Sequence, residues 1–132
     1  MSLLLLDTNV LLWVIDAPAR LPPRTAAVIE DPNNEILFSA ASIWEIAIKS
    51  GRQRPDFQID PAEIASDAVA IGFSELPVTS SVAALVARLP RLHNDPFDRL
   101  LIAQAMNLPA MFLTSDRFLR GYSELVTPFD PR

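Results

Sequence analysis

Short apolar runs alternate along the chain with longer segments in which apolar residues recur at helical spacing. The run 3–6, LLLL, is continuously apolar, which is typical of a strand buried on both faces of a sheet. Four further short runs predict strands at 35–39, 73–77, 110–114 and 125–129, the last of them a weak edge strand. The pattern therefore predicts a sheet of several short strands.

The segments between those strands carry helical spacing, with prolines suited to a first turn and glycines suited to a last turn. The predicted helices cover 9–15, 22–31, 40–51, 61–72, 80–89 and 96–107, with a short one at 116–119. Residues 52–60 are predicted to form a loop. Repeated alternation of strand and helix predicts an α/β fold, a three-layer α/β/α sandwich with a mainly parallel sheet. The length of 132 residues fits a single domain, 1–132.

The composition excludes several kinds of site. The chain has no cysteine and one histidine, His93, so disulfides, thiolate zinc sites and multi-histidine metal sites are all excluded. The apolar N-terminus lacks the basic segment of a signal peptide, and no run approaches the roughly 20 apolar residues that span a bilayer. A cytoplasmic protein without membrane contact is therefore expected.

The net charge of −5 would ordinarily argue against nucleic acid, because phosphate binding draws on a basic surface. Basic residues nevertheless cluster, with Lys49, Arg52 and Arg54 in one group and Arg88 and Arg91 in another. Ten of the eleven basic residues are arginines, which suit bidentate phosphate contacts. These clusters are either solvated faces or the rim of a nucleic-acid site, and the sequence favours neither.

Four acidic residues fall near the predicted carboxyl ends of strands. Asp7 follows the first strand directly, and Asp116 follows the strand 110–114 after two residues. Glu45 lies early in the helix after the second strand, and Asp98 lies in the first turn of a later helix. Because ligands of open parallel sheets bind outside the carboxyl ends of the strands, these acids are expected to meet there.

Each acid also has a purely structural explanation. Ser42 and Glu45 match the S-x-x-E capping box, and Glu45 can pair with the lysine one helical turn later. Asp95 suits the N-cap of helix 96–107, where Asp98 would occupy the third helical position. Asp116 can start the short helix at 116–119. Taken singly, Glu45, Asp95 and Asp116 fit these structural roles.

Asp7 and Asp98 are harder to explain in that way. A carboxylate directly after a buried strand, such as Asp7, is costly unless it is paired or coordinated. Asp98 shares a helix face with Leu101, Ile102 and Ala105, the face that should turn toward the core. Carboxylates brought together in one crevice must take up protons or bind cations, and Mg²⁺ and Mn²⁺ accept all-oxygen ligation. Such a site can hydrolyse a phosphodiester without a histidine base.

Four stretches resemble, in order and at the usual separations, a known family. They are LLDTNVLLW (5–13), SAASIWEIAIKSG (39–51), LPRLHNDPFDRLLIAQA (89–105) and LTSDRF (113–118). The chain resembles the PIN-domain ribonucleases of the VapC type, which are the toxins of toxin–antitoxin pairs. This resemblance covers nearly the whole chain and implies a PIN-like fold.

The resemblance also implies roles for individual residues. The catalytic acids, which surround one or two Mg²⁺ or Mn²⁺ ions, would be Asp7, Glu45, Asp98 and Asp116. Small polar side chains would orient those carboxylates or bound water, at positions Thr8, Asn9, Ser42 and Thr114. Asp95 is interpreted as the helix cap, and His93 as a packing or capping residue without a catalytic role. Trp13 and Trp44 are interpreted as core or partner-interface aromatics.

The function implied by the resemblance is that of a metal-dependent endoribonuclease, the toxin of a toxin–antitoxin pair, with RNA as substrate. Its implied partners are a small antitoxin protein and a second copy of the chain in a homodimer. The alternative is a catalytically silent PIN-like binding module that acts through its partner. A phosphoacceptor receiver domain also gathers acids at a sheet edge, but it needs a lysine after a late strand. The only lysine, Lys49, lies in an early helix.

Overall fold

A computed structural model describes residues 2–51 and 59–132. The strands are β1 (Leu3–Leu6), β2 (Glu35–Ser39), β3 (Ser74–Leu76), β4 (Met111–Thr114) and β5 (Val126–Pro128). The α-helices are α1 (Thr8–Asp16), α2 (Pro23–Glu30), α3 (Ala40–Gly51), α4 (Pro61–Ala70), α5 (Ser80–Leu85) and α6 (Pro96–Asn107). Three short 3-10 helices cover Pro18–Arg20, Val86–Arg88 and Arg117–Tyr122. Most of the predicted loop 52–60 lies outside the described residues.

The five strands form one sheet in the order β3-β2-β1-β4-β5, and every neighbouring pair is parallel. The prediction of a mainly parallel sheet is confirmed, and the predicted weak strand is indeed an edge strand, β5. From the central β1 the chain first builds β2 and β3 on one side, and then returns to build β4 and β5 on the other. Strand order therefore reverses between β1 and β4, the position at which open α/β sheets form a ligand crevice.

Alternate residues of β1 enter two different cores. Leu4 and Leu6 pack on one face of the sheet, whereas Leu5 packs on the other, because successive strand side chains point in opposite directions. Helices α1 to α4 contribute to the first core and α5 and α6 to the second, as shown by their buried residues Val10, Ile29, Ile46, Ile64, Val82 and Leu101. These two helical layers confirm the predicted α/β/α sandwich.

Short polar residues and one glycine set the ends of several helices. Asp60 and Thr79 cap α4 and α5, since their side-chain oxygens accept hydrogen bonds from the backbone N–H groups of Ala62 and Val82. Gly72 follows α4 with a φ of 103°, in the left-handed region that glycine adopts without steric cost. The chain can thus leave α4 and enter β3 within a few residues.

Helix α5 ends earlier than the periodicity of 80–89 predicts. After Leu85 the chain tightens into the 3-10 helix Val86–Arg88, and Leu89, which precedes a proline, is extended. The guanidinium of Arg99 donates hydrogen bonds to the carbonyls of Val86 at 3.0 Å and Leu89 at 3.4 Å. The proline disfavours a helical conformation at Leu89, and Arg99 supplies donors to carbonyls that a longer helix would have used. The predicted short helix at 116–119 is likewise the 3-10 helix Arg117–Tyr122.

No helix in the described ranges, 2–51 and 59–132, has the length and apolar character that a membrane crossing requires.

A buried glutamine joins α6 to the two neighbouring strands β2 and β3. Gln104, only 1% exposed, accepts a hydrogen bond from the hydroxyl of Ser39 at 2.6 Å and donates one to the carbonyl of Pro77 at 3.2 Å. The Ser39 hydroxyl also accepts from the N–H of Ala41, so the same oxygen caps α3. This connection fixes α3 and α6 relative to the carboxyl end of β2.

Replacing Gln104 should therefore destabilise the protein although the site keeps its volume. The variant Gln104→Met leaves the Ser39 hydroxyl and the Pro77 carbonyl without their partner, which should lower the free energy of unfolding by about 2 kcal/mol. Urea unfolding measures this loss. In a double-mutant cycle with Ser39→Ala, the combined loss should fall short of the sum by about 1 kcal/mol. Strictly additive losses would contradict the proposed link.

Candidate functional site

Asp7 lies where β1 ends, and it begins α1. Its backbone is extended, with φ −61° and ψ 155°, and its Oδ1 accepts a hydrogen bond from the N–H of Thr8 at 2.7 Å. Its own N–H donates to the carbonyl of Leu113 at 2.9 Å, which continues the pairing of β1 with β4. The side chain is therefore fixed at the β1–β4 reversal, where the residue is only 7% exposed.

Thr114, the last residue of β4, connects two of the acids. Its hydroxyl donates a hydrogen bond to Oδ2 of Asp7 at 2.6 Å and accepts one from the N–H of Asp116 at 3.1 Å. The residue is fully buried. The predicted orienting role of Thr114 matches this geometry, because one hydroxyl sets the orientation of Asp7 and the backbone position of Asp116.

Two aspartates at the start of α6 divide their roles. Oδ1 of Asp95 accepts hydrogen bonds from the N–H groups of Phe97 at 2.8 Å and Asp98 at 3.3 Å, as expected of a helix cap. The carboxylate of Asp98 instead reaches Nε2 of His93, 3.0 Å from its Oδ2. Helix capping at Asp95 leaves Asp98 available for the crevice.

Glu45 projects from α3 and is 6% exposed. Its Oε2 pairs with Nζ of Lys49 at 2.9 Å, the predicted contact one turn along the helix. Its Oε1 is buried and has no hydrogen-bond partner among the residues that the structure describes. A buried carboxylate oxygen without a partner is costly, and a bound cation would remove that cost.

The predicted capping box of Ser42 and Glu45 is wrong. Helix α3 begins three residues earlier than such a box requires, and Ser39 supplies its cap. Ser42 is fully buried within the first turn, where its oxygen accepts a hydrogen bond from the hydroxyl of Thr8 at 2.9 Å. This contact joins the helix that follows Asp7 to the helix that carries Glu45.

The remaining small polar residue of the predicted set is placed differently. Asn9 is exposed, and its side chain makes no hydrogen bond to any other described residue. Its orienting role stays a prediction.

Of the two tryptophans, Trp44 does not belong to the core. It is 61% exposed, because its position on α3 points outward between the buried residues of that helix, and its ring packs edge-on against Phe97 with centroids 5.1 Å apart. Trp13 is half-buried, packs edge-on against Phe129 and lies under the guanidinium of Arg20 at 4.7 Å. Of the two predicted roles of Trp44, a core position is therefore wrong, and a place at a partner interface stays a prediction.

Burial raises the pKa of Asp7 to about 6 from an ordinary value of 3.8. The hydrogen bonds from Thr114 and Thr8 lower this pKa, and the negative charges of Glu45 and Asp116 raise it further. Glu45 on α3 and Asp116 after β4 are thus close enough to repel a negative charge on Asp7.

Asp98 has a similar environment. Burial is the largest cause that raises its pKa to about 7, followed by the negative charges of Asp7 and Asp95. The hydrogen bond with His93 lowers this pKa, and the charge of Glu45 adds a smaller increase. Near neutral pH Asp98 would thus keep its proton in part of the molecules whereas Asp7 would be mostly charged, and a bound cation would favour the charged form of both.

The structure also brings His93 to the acids. One ligand atom from each of His93, Asp98 and Asp116 lies within 4.8 Å of the others. The sequence interpretation gave His93 no site role, since a lone histidine is more often a packing residue. Its position in the loop that directly precedes α6, five residues before Asp98, was the available signal.

Together these side chains fit a divalent cation. Oxygen ligands from Asp7, Glu45, Asp98 and Asp116 suit Mg²⁺ or Mn²⁺, and the unpartnered Oε1 of Glu45 is a donor with no other described use. The elevated pKa values agree, because a bound cation would neutralise the repulsion among these acids. Ligand atoms of Asp98 and Asp116 thus lie within 4.8 Å of each other, and Asp7 and Glu45 lie close enough for their charges to affect neighbouring acids.

A parallel α/β sandwich with an acidic crevice at its strand reversal is the architecture of metal-dependent nucleases of the PIN type. Residues 4–125 match the family described as PIN domain, and the chain belongs to that family. It is 32% identical over 123 residues to Ribonuclease VapC22 of Mycobacterium tuberculosis (strain ATCC 25618 / H37Rv). That similarity covers 92% of this chain and 93% of the relative.

Two solved structures share the fold. One is VapBC2 from Rickettsia felis bound to a DNA fragment from their promoter, with a TM-score of 0.74 and 15% identity, covering 98% of this chain and 100% of that one. The other is a toxin-antitoxin complex from Klebsiella pneumoniae, with a TM-score of 0.64 and 18% identity, covering 96% and 98%. Both agree with the predicted PIN-like sandwich.

The buried charge of Asp7 should destabilise the metal-free protein as pH rises. At a pH below its ordinary pKa of 3.8, Asp7 is neutral in both the folded and the unfolded protein. At a pH above about 6, the folded protein must hold Asp7 in its charged form. A rise in pKa from 3.8 to about 6 means that the charged carboxylate destabilises the folded state by about 3 kcal/mol. Asp7→Asn removes this penalty, but it weakens the hydrogen bond with Thr114, which costs about 1 kcal/mol. Asp7→Asn should thus be about 2 kcal/mol more stable than the parent at pH 8, and less stable than the parent by up to about 1 kcal/mol at pH 4.

Urea unfolding in the presence of a chelator, at pH 4 and pH 8, measures this difference. Asp67→Asn is the matched control, because Asp67 is exposed on α4 and its substitution should change little at either pH. A variant Asp7→Asn that is less stable than the parent at pH 8 would show that burial does not penalise this carboxylate.

Proposed function

We propose that this chain is a metal-dependent endoribonuclease, the toxin component of a toxin–antitoxin pair, which hydrolyses RNA phosphodiester bonds with Mg²⁺ or Mn²⁺. The observation that carries the proposal is the convergence of four acids from separate elements at the β1–β4 reversal. The ribonuclease named among its relatives and the toxin–antitoxin complexes that share its fold support the same function. PIN nucleases as a group use divalent metal ions.

The acids would hold the cation, and the polar residues around them would hold the acids. A bound divalent cation supplies an activated water and neutralises the departing oxygen of the phosphodiester. Thr114 keeps Oδ2 of Asp7 in a fixed orientation, and the N-cap of Asp95 fixes the start of α6, from which Asp98 projects. Lys49 pairs with Oε2 of Glu45 and does not contact Oε1 of the same carboxylate. The chain thus presents oriented, closely spaced carboxylates.

Exposed arginines beside the acids supply the contacts for RNA phosphates. Arg91 is exposed and lines a cleft together with His93, whose Nε2 contacts the carboxylate of Asp98. Arg88 is exposed as well. Arg52 and Arg54, the other predicted basic residues, lie outside the described part of the chain. A local basic rim can attract RNA although the protein is acidic overall.

Exposed aromatic side chains supply a surface for the antitoxin or for a second copy in the proposed homodimer. Trp44 is 61% exposed and Phe118 is 64% exposed. Trp44 precedes Glu45 on α3, and Phe118 follows Asp116 by two residues. A partner that covers these rings would therefore also lie beside the acids, which agrees with inhibition by an antitoxin.

Purified chain without antitoxin should cleave RNA with Mg²⁺ or Mn²⁺ and stop when a chelator is added. Asp98→Asn should lower the rate by about 100-fold or more, because the variant loses one charge where the cation binds. The measurement is the appearance of fragments from total cellular RNA.

Asp67→Asn is again the matched control and should retain full activity. Cleavage that persists in chelator, or in a folded Asp98→Asn variant, would overturn the metal mechanism. If the parent cleaves nothing with either metal although the acids bind the ion, the silent binding module is the better interpretation.

The division of roles at the start of α6 gives a separate test. Asp95→Asn should retain most of the activity, because asparagine also caps helices and can accept from the N–H groups of Phe97 and Asp98. Rates of RNA cleavage and Mn²⁺ affinity by calorimetry measure the outcome. Loss of Mn²⁺ binding in this variant would mean that Asp95 belongs to the metal site.

A further inference from the structure

We propose that Nε2 of His93 is itself a metal ligand, which acts with carboxylate oxygens of Asp98 and Asp116 at the same cation site. This inference rests on the proposed function and adds a nitrogen donor to a set of ligands otherwise made of oxygen. It assigns a role to the only histidine of the chain.

The spacing between the imidazole and Asp98 matches that of two ligands on one ion. Nε2 of His93 lies 3.0 Å from Oδ2 of Asp98. Two ligands at right angles around an octahedral cation, each about 2.1 Å away from it, are about 3.0 Å apart. The atoms can therefore bind one ion without a change in their separation. Asp116, half-buried, has its ligand oxygen within 4.8 Å of both atoms.

Hydrogen bonds from Tyr122 and Arg99 hold the loop that carries His93 in place. The hydroxyl of Tyr122 donates a hydrogen bond to the carbonyl of His93 at 3.3 Å. Arg99, the residue after Asp98, donates to that hydroxyl at 3.2 Å and to the carbonyl of Pro90 at 2.8 Å. Arg99 thus fixes the loop to the same helix that carries Asp98. The distance between the imidazole and the carboxylate is set by a network rather than by one contact.

The imidazole is also available to a cation. Its side chain is 30% exposed, and Asp98 is the partner of Nε2 among the described residues, which offer Nδ1 no hydrogen bond. The ring of Phe118 lies 6.0 Å away at 56° and covers one side without using a nitrogen. Nε2 would hold a bound ion in place of its hydrogen bond to Asp98, with the proton of the neutral imidazole on Nδ1.

A nitrogen ligand changes which ion the site prefers. Mg²⁺ favours oxygen donors, whereas an imidazole adds affinity for transition ions such as Mn²⁺ and Co²⁺. The site should therefore bind Mn²⁺ more tightly than an all-carboxylate site would, with a smaller effect on Mg²⁺. His93→Gln keeps a polar side chain of similar reach but removes the imidazole. It should lower Mn²⁺ affinity by at least about 10-fold and Mg²⁺ affinity by clearly less.

The decisive experiment uses the fact that His93 is the sole histidine. The protein is produced without a histidine tag in cells supplied with ¹⁵N-labelled histidine, and the purified protein is loaded with Mn²⁺. Electron–nuclear double resonance then measures the coupling between the Mn²⁺ electrons and ¹⁵N. A coupling as large as that of a Mn²⁺–imidazole complex measured alongside supports direct ligation. A coupling far smaller, as expected if His93 only donates a hydrogen bond to Asp98, overturns the proposal.

The matched affinity measurement separates this proposal from the proposed function. Equal loss of Mn²⁺ and Mg²⁺ affinity in His93→Gln would overturn the nitrogen ligand, since it would indicate that the variant disturbs the carboxylates alone. A large ¹⁵N coupling in protein that cleaves no RNA would support the ligand while refuting the nuclease. Absence of any Mn²⁺ binding would refute both.

Discussion

The structure depends on a carboxylate that is buried between two parallel strands. Asp7 follows β1 where strand order reverses, and the Thr114 hydroxyl at the end of β4 donates a hydrogen bond to Oδ2 of Asp7. Burial at this position is unfavourable for a charge, so neighbouring elements either supply donors or contribute further acids that share a cation. Helix α1 supplies a donor through its first N–H, while α3 and α6 present Glu45 and Asp98. The positions of these elements around the crevice are thus linked to one side chain.

The capping and metal-site interpretations of the acids turn out to be complementary. Asp95 uses its carboxylate to start α6, which aims Asp98 into the crevice. Asp116 combines the two roles, because its Oδ1 accepts from the N–H of Phe118 while the side chain still lies within reach of His93. The two oxygens of Glu45 also differ, because Oε2 pairs with Lys49 whereas Oε1 has no partner among the described residues. Local helix stability and the acidic site therefore use the same residues without conflict.

Much of this could be predicted from the sequence, because the relevant signals are local. Continuous apolar runs identified the strands. The place of Asp7 after a buried strand, and of Asp98 on the apolar face of its helix, indicated which acids have a role beyond capping. Three features depended on contacts between distant segments and were missed or left open. The capping role of Ser39 is visible only once α3 is placed against β2. The outward direction of Trp44 depends on which face of α3 meets the sheet, and the approach of His93 to Asp116 requires the loop and β4 to be adjacent.

The hydrogen bond between Thr114 and Asp7 joins residues that are 107 positions apart. During synthesis the first strand leaves the ribosome long before β4 exists, so Asp7 lacks its Thr114 partner until 107 further residues have been made. A nascent or truncated polypeptide that lacks β4 cannot hold the first acid in place, and it cannot present Asp116 at all. Assembly of the acidic centre is thus tied to the synthesis of β4 and of the residues directly after it. Any activity of this centre can therefore appear only after Asp116 has been made and β4 has paired with β1.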